Sequence, residues 1–258
     1  MNRTGLYIAL GLLLIVTTVF GLYPDLDLKL AGLFWDPATK TFPIKSNAVA
    51  EFARDAAMVI AWAFVLPAIL ALTVKLTWPN RRMMMSGRVA TFLILSMLVA
   101  AGLLTNLTFK SVWSRPRPIQ VTEFSGPYQF KAWWDPTGEC RKNCSFISGE
   151  GATAFWTYAP AALAPPAWRP LAYVAATVFG ATTSLLRMTF GGHFFTDVTL
   201  AGLLTFIVIW LMHAYLFRWR AAVFTDERID AALTRFAWPG YRWRQKLWGR
   251  DVGPSPAS

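Results

Sequence analysis

The sequence predicts an all-α fold, a polytopic membrane helical bundle of about six transmembrane helices with an outward-facing site. Two observations predict it. Of 258 residues, 55% are hydrophobic, and the mean hydropathy is positive; a soluble domain of this length rarely needs so much apolar sequence. The apolar residues also fall in long runs, separated by short stretches rich in charge, proline and tryptophan, which is how spans alternate with loops in a membrane.

The first span, 5–22, follows Arg3 and runs into Tyr23-Pro24-Asp25 with no small-x-small cleavage site. It is therefore expected to be an uncleaved anchor, so 1–22 forms the first transmembrane helix. Residues 23–55 mix Leu26, Leu28, Leu30, Leu33 and Phe34 with acids and lysines, the composition of an amphipathic segment in the outer interface. The core, 56–217, carries spans at 56–76, 89–109, 151–163, 171–185 and 198–217. The spans at 151–163 and 171–185 are short for a crossing of about 20 residues, so their ends are expected to reach into the flanking polar motifs. Residues 218–258 interleave Trp219, Trp238, Trp243 and Trp248 with Arg220, Arg242, Arg244 and Arg250, as expected of a basic, Trp-rich cytoplasmic anchor at the interface.

Basic residues set the expected orientation. The N-terminus, the 77–88 and 164–170 loops with adjoining Lys75, and the C-terminal tail hold 14 Lys/Arg and four acids, against 11 Lys/Arg and 10 acids elsewhere. The first set is assigned to the cytoplasm. The 23–55 segment, the 110–150 loop and the 187–197 turn then face the periplasm or its equivalent, across a bacterial cytoplasmic (inner) membrane. The formal charge of +11 is explained by residues beside spans that meet anionic head groups. No recognition motif supports nucleic acid as a partner. Cys140 and Cys144 lie four apart on the outer side, where a disulfide is possible. No second Cys/His pair accompanies them, so no metal site and no cofactor is expected. The oligomeric state is left open.

Three polar clusters sit at span edges on the outer side. One is Lys110-Ser-Val-Trp-Ser-Arg115-Pro-Arg117-Pro118; another is Cys144-Ser-Phe-Ile-Ser148-Gly149-Glu150; the third is Arg187-Met-Thr-Phe-Gly-Gly-His193-Phe-Phe-Thr-Asp197. Fixed cations at a membrane edge are costly and usually functional. Lys110, Arg117 and Arg187 suit the oxygens of one tetrahedral anion, arginine through its planar fork. Ser148 and Gly149 open a helix whose free N–H groups favour an anion. His193 and Asp197 are four apart, so the acid is expected to bond one ring nitrogen and leave the other to attack. Arg115, two residues before Arg117 and followed by Pro116, is expected behind the phosphate ligands or against a head group.

These spacings resemble the type 2 phosphatidic acid phosphatase (PAP2) superfamily. Lys110 with Arg117-Pro118 matches its first motif, and Arg187, His193 and Asp197 match its third. Ile147-Ser148-Gly149-Glu150 stands where the second reads Pro-Ser-Gly-His. The resemblance covers roughly 50–217 and implies a helical bundle that hydrolyses phosphate, without metal, through a phosphohistidine. It makes His193 the nucleophile, Asp197 its orienter, and Lys110, Arg117, Arg187, Ser148 and Gly149 the phosphate ligands. Two departures stand out. Leu186 replaces a serine, and Glu150 replaces the histidine that protonates the leaving alkoxide. A poorly solvated carboxylic acid can do that work, although nearby cations oppose it. Glu150 is thus expected to be the general acid, with an acidic or unusually broad activity optimum.

The expected function is an integral membrane lipid phosphatase whose partners are the bilayer and a lipid phosphate. Undecaprenyl pyrophosphate, phosphatidylglycerol phosphate, phosphatidic acid and lipid A are the candidate substrates. The Cys-Ser-Phe-Ile-Ser-Gly-Glu stretch is similar to that of some lipid A phosphatases, and the long 119–146 loop suits a bulky head group. A phosphotransferase with a lipid acceptor would use the same phosphohistidine. A non-catalytic lipid-phosphate binder or transporter would need the cations but not the His193–Asp197 pair.

Overall fold

The computed structural model describes residues 1–250, 252, 253 and 255, apart from the side chains of Asn106, Leu107 and Ser111. The end of the expected tail (251, 254, 256–258) lies outside the described residues. Among the described residues the chain is helical, with no strand beyond two isolated bridges.

The main helices are α1 (Arg3–Leu22), α2 (Asp25–Gly32), α3 (Ala48–Thr77), α4 (Gly87–Met97) and the one-turn α5 (Lys110–Val112), followed by α6 (Gly149–Phe155), α7 (Tyr158–Leu163), α8 (Arg169–Thr189), α9 (Phe195–Ala214) and α10 (Asp226–Leu247). A π-helical stretch, Leu98–Phe109, joins α4 to α5, and another, Tyr215–Trp219, prolongs α9. Among the described residues, five helices are long and apolar enough to cross a membrane: Arg3–Leu22, Ala48–Thr77, Gly87–Thr105, Arg169–Thr189 and Phe195–Trp219. The chain is a polytopic helical membrane protein.

The expected span at 151–163 is not one helix but the pair α6 and α7. Trp156 and Thr157 divide them. Thr157 Oγ1 bonds the Ala154 carbonyl at 2.7 Å, a competing side-chain bond that bends a helix. Pro160 has no N–H to donate and sits in the first turn of α7, where none is needed. Trp156 is fully buried, and its indole N–H donates to Ser96 Oγ at 2.9 Å. Broken helix is tolerated at membrane depth when it is packed in protein, and α6 and α7 pack against α8.

The chain divides into two compact units, one of residues 1–61 with 96–210, the other of 62–95 with 211–258. The first contains all three motifs. One of its cores gathers Ala31, Phe42, Val121, Phe124 and Phe194; another gathers Phe146, Ile147, Ala152, Leu200 and Ala201. In the second unit, buried Lys75 bonds Asp230 at 2.8 Å and the carbonyls of Pro79 and Arg81. Asp226, in the first turn of α10, accepts from the Arg88 N–H and from Ser86. Within the basic, Trp-rich tail, residues 226–247 are therefore a helix, fastened through its acids to the chain around the 77–88 loop.

Candidate active site

Three backbone hydrogen bonds bring the motifs together. The Ile119 N–H donates to the Gly191 carbonyl at 3.0 Å, the Ser145 N–H to Arg115 at 2.9 Å, and the Ser148 N–H to Asp197 at 3.1 Å. Each motif is thus tied to the other two, independently of any side chain. Two glycines let the third motif turn. Gly191 has φ +62°, and a Cβ there would meet the Phe42 ring at 2.5 Å; a Cβ on Gly192 would meet the Arg187 guanidinium at 2.7 Å. At Gly191 no side chain fits, and at Gly192 one would have to displace the Arg187 guanidinium.

His193 is buried at the end of that turn. Its Nδ1 lies 2.8 Å from the Ser145 carbonyl oxygen. A carbonyl only accepts, so Nδ1 carries the proton and Nε2 presents its lone pair. The contact with Asp197 expected from the i,i+4 spacing is 3.9 Å long, too far for a hydrogen bond. Asp197 instead accepts from Arg115 at 2.6 Å, Ser145 Oγ at 2.5 Å and the Phe194 N–H at 2.8 Å. It therefore acts on the imidazole through Ser145, the residue whose carbonyl holds the ring, and through its charge. Burial, helped by the charges of Arg117 and Arg187, pushes the His193 pKa down to about 4 against the pull of Asp197.

The cations line the same site. Arg117 donates to the Asn143 carbonyl at 3.0 Å and to Asn143 Oδ1 at 2.8 Å, and Lys110 reaches that Oδ1 at 3.5 Å. Burial and the neighbouring guanidinium of Arg117 lower the Lys110 pKa, while Glu150 pulls it up. Arg187 Nε pairs with Glu150 Oε2 at 3.0 Å, off line for a hydrogen bond. Ser148 is buried as the N-cap of α6, its Oγ accepting the Gly151 N–H at 3.1 Å, and Gly149 is the first residue of that helix. Asn143 takes a left-handed conformation with φ 55°, inside the ring closed by the Cys140–Cys144 disulfide. Each of the three cations rests on an oxygen of the chain itself: Asn143 for Lys110 and Arg117, Glu150 for Arg187.

Arg115 takes the first of its two expected places, behind the site rather than against a head group. It is fully buried and touches no surface where a head group could sit. Its guanidinium donates to Asp197, to Thr196 Oγ1 at 2.8 Å, to Asp27 at 2.8 Å and to the Lys131 carbonyl at 2.9 Å, and it stacks 4.4 Å from the Phe194 ring. Asp27, buried on α2, also accepts the Thr196 N–H at 3.0 Å. The segment read as amphipathic and interfacial thus sends one acid into the base of the site. Sequence reasoning passed over Asp27, Ser145 and Asn143. The available signal for Asp27 was an acid four residues before Ala31, so that both lie on one face of a short helix.

A profile of the PAP2 superfamily matches residues 90–221. A lipid A 4'-phosphatase of Francisella tularensis subsp. novicida is 31% identical over 219 residues, covering 84% of this chain and 98% of that protein. Proteins of the same name from Rhizobium etli and Rhizobium leguminosarum are each 34% identical over 113 residues. Those matches cover 44% of this chain, and 44% and 48% of the two proteins. No solved structure matches.

Proposed function

This chain belongs to the PAP2 superfamily, and from that premise we propose that it is a phosphatase of the bacterial inner membrane that removes a phosphate from lipid A at the outer face. The observation that carries the reading is the Nε2 lone pair of His193, fixed by the Ser145 carbonyl in a site with three cations. A lipid-phosphate binder needs the cations but gains nothing from a buried, tautomer-fixed imidazole. The names of the relatives favour lipid A as substrate, and the imbalance of basic residues between alternate loops favours a site facing outward.

Phosphate oxygens take the places held by Asn143 and Glu150 on Lys110, Arg117 and Arg187, joined by Ser148 and the Gly149 N–H. Nε2 attacks phosphorus, the P–O bond to the sugar breaks, and Glu150 passes a proton to the leaving oxygen. Water then attacks the phosphohistidine, returning a proton to Glu150 and freeing inorganic phosphate. Charge stabilisation by the cations is the largest contribution. Release of Glu150 from Arg187 as phosphate binds ties readiness of the acid to occupancy of the site. No step calls for a metal.

The test is phosphate release by the detergent-purified protein from lipid A, undecaprenyl pyrophosphate, phosphatidylglycerol phosphate and phosphatidic acid, with and without EDTA. Lipid A is expected to be hydrolysed, and EDTA to leave the rate unchanged. Glu150→Gln should lose about 100- to 10,000-fold in kcat, and Glu150→His should recover part of it. Unchanged turnover in both variants would remove Glu150 from the mechanism. Release from no lipid, with binding retained, would make the protein a binder.

A further inference from the structure

Of the two Asn143 oxygens that meet the cations, one belongs to the main chain. Arg117 Nε donates to the Asn143 carbonyl at 3.0 Å, and Arg117 Nη2 to its Oδ1 at 2.8 Å; Lys110 Nζ reaches the same Oδ1 at 3.5 Å. Two donors of one planar group on one residue fix the guanidinium in direction as well as place. A phosphate oxygen can displace the side-chain oxygen, while the carbonyl stays and aims the fork. What holds that carbonyl is therefore part of the site. Asn143 is exposed, so packing does not hold it. Its left-handed conformation, φ 55°, is one that asparagine visits but does not settle in unaided. Flanking Arg141 and Lys142, also exposed, carry the same charge as Lys110 and Arg117 and so repel them.

The Cys140–Cys144 bond supplies the missing constraint. Both cysteines are buried, and backbone bonds anchor the two ends of the ring. The Cys140 N–H donates to the Ser114 carbonyl at 3.2 Å, and the N–H of Ser145, the next residue after the ring, to the Arg115 carbonyl at 2.9 Å. The ring is thus moored on the residues that lead into Arg117, and ring closure shapes 141–143 between them. A crosslink over so few residues restricts the unfolded chain less than a long-range one would, so its main effect is on local geometry. The Ser145–Arg115 bond does not depend on the disulfide, so the seat of His193 survives its loss. We propose that the Cys140–Cys144 ring is a positioning element of the phosphate cradle, and that opening it weakens phosphate binding by Arg117 and Lys110 while the fold stands. Because such a bond persists in oxidising compartments and not in the cytosol, the chain becomes competent only once the 110–150 loop has reached the outer face. The assignment rests on the phosphatase reading above.

The test compares oxidised and reduced wild type with the double variant Cys140→Ser, Cys144→Ser, all in detergent. A thiolate of dithiothreitol attacks one sulfur and the S–S bond breaks; the reagent's second thiol then closes it into a cyclic disulfide, leaving Cys140 and Cys144 as thiols, which alkylation counts. Reduction is expected to raise the calorimetric dissociation constant of inorganic phosphate about tenfold and to lower kcat/KM for lipid A about tenfold or more, the scale of one hydrogen bond to a charged group. The cooperative melting transition should stay above the assay temperature. Reoxidation by oxidised glutathione, which leaves as two thiols, should restore both constants, and the double variant should match the reduced protein whichever reagent is added. Wild-type phosphate affinity in the reduced protein and the double variant overturns the assignment. A loss that appears only together with the melting transition also overturns it, since the disulfide would then be a clamp on the whole fold. So does a lower kcat with unchanged phosphate affinity, which would place the effect on His193. An oxidised wild type that binds phosphate but hydrolyses no lipid fails at the phosphatase reading, and its change in phosphate affinity on reduction still decides the role of the ring.

Discussion

Replacing His193 by alanine is expected to reduce turnover by about 10,000-fold or more, the scale seen when a covalent nucleophile is removed. Affinity for inorganic phosphate should change by less than tenfold, because Lys110, Arg117 and Arg187 stay in place. His193→Asn is the more telling variant. Its amide N–H₂ can still donate to the Ser145 carbonyl, so the loop stays held while the nucleophile is gone. If the asparagine variant keeps more than a hundredth of the wild-type rate, His193 only organises the site. The pH behaviour follows from the same burial. With a pKa near 4 in the fold, His193 is neutral and nucleophilic throughout pH 5–8, so the acid limb of kcat/KM should not fall at the ordinary histidine pKa of about 6.5. The sign for stability is equally fixed. The unfolded chain binds this proton more tightly than the folded one, so the stabilising contribution is complete above pH 6.5. It is lost as the pH falls from there towards 4. Detergent-phase melting temperatures in that window, for wild type and His193→Asn, separate this contribution from that of the carboxylates.

Much of this architecture could be read from the sequence, for reasons that are local. Spans declare themselves by apolar length. The three cations of the candidate site declare themselves because a charge at a membrane edge is too costly to be casual. What escaped is what depends on the chain's path between elements. Ser145 orients His193 with its carbonyl, a group every residue has, so no residue type announces it. Asp27 reads as one of several acids in an amphipathic stretch until α2 is seen to place it against Arg115 and Thr196. The i,i+4 spacing of His193 and Asp197 puts them on one face only if both are helical; α9 begins at Phe195, so His193 lies in the turn before it and the pair opens to 3.9 Å. The broken span had a clue in Pro160, but whether a proline kinks a helix or starts a new one is settled by the packing of Trp156.

Arg115 is where the second large effect is expected. Two buried carboxylates, Asp27 and Asp197, face one guanidinium. Burial pushes the Asp27 carboxyl above the usual carboxylate range, and the single cation is what both acids lean on. Removing one partner of a buried ion pair typically costs about 3–5 kcal/mol. Arg115→Ala strands two acids at once, so it should lie at or above the upper end of that range, read as unfolding in detergent. Lysine is not a remedy. Arg115 donates in four directions from one plane, to Asp27, Asp197, Thr196 and the Lys131 carbonyl, and a single ammonium on a flexible stem cannot reproduce that fork. Arg115→Lys should therefore fold poorly and lose activity, although its charge is conserved. Asp27→Asn supplies the control. It removes one negative charge, leaves the Arg115–Asp197 pair intact, and keeps an oxygen for the Thr196 N–H, so it should destabilise less than Arg115→Ala. Combined with Arg115→Ala, it should cost less than the sum of the two singles, because the stranded acid is already gone. A head-group contact would behave otherwise, with Arg115→Ala stable to unfolding and impaired only in KM for lipid. Strictly additive singles would likewise show that Asp27 and Arg115 do not act as one buried unit.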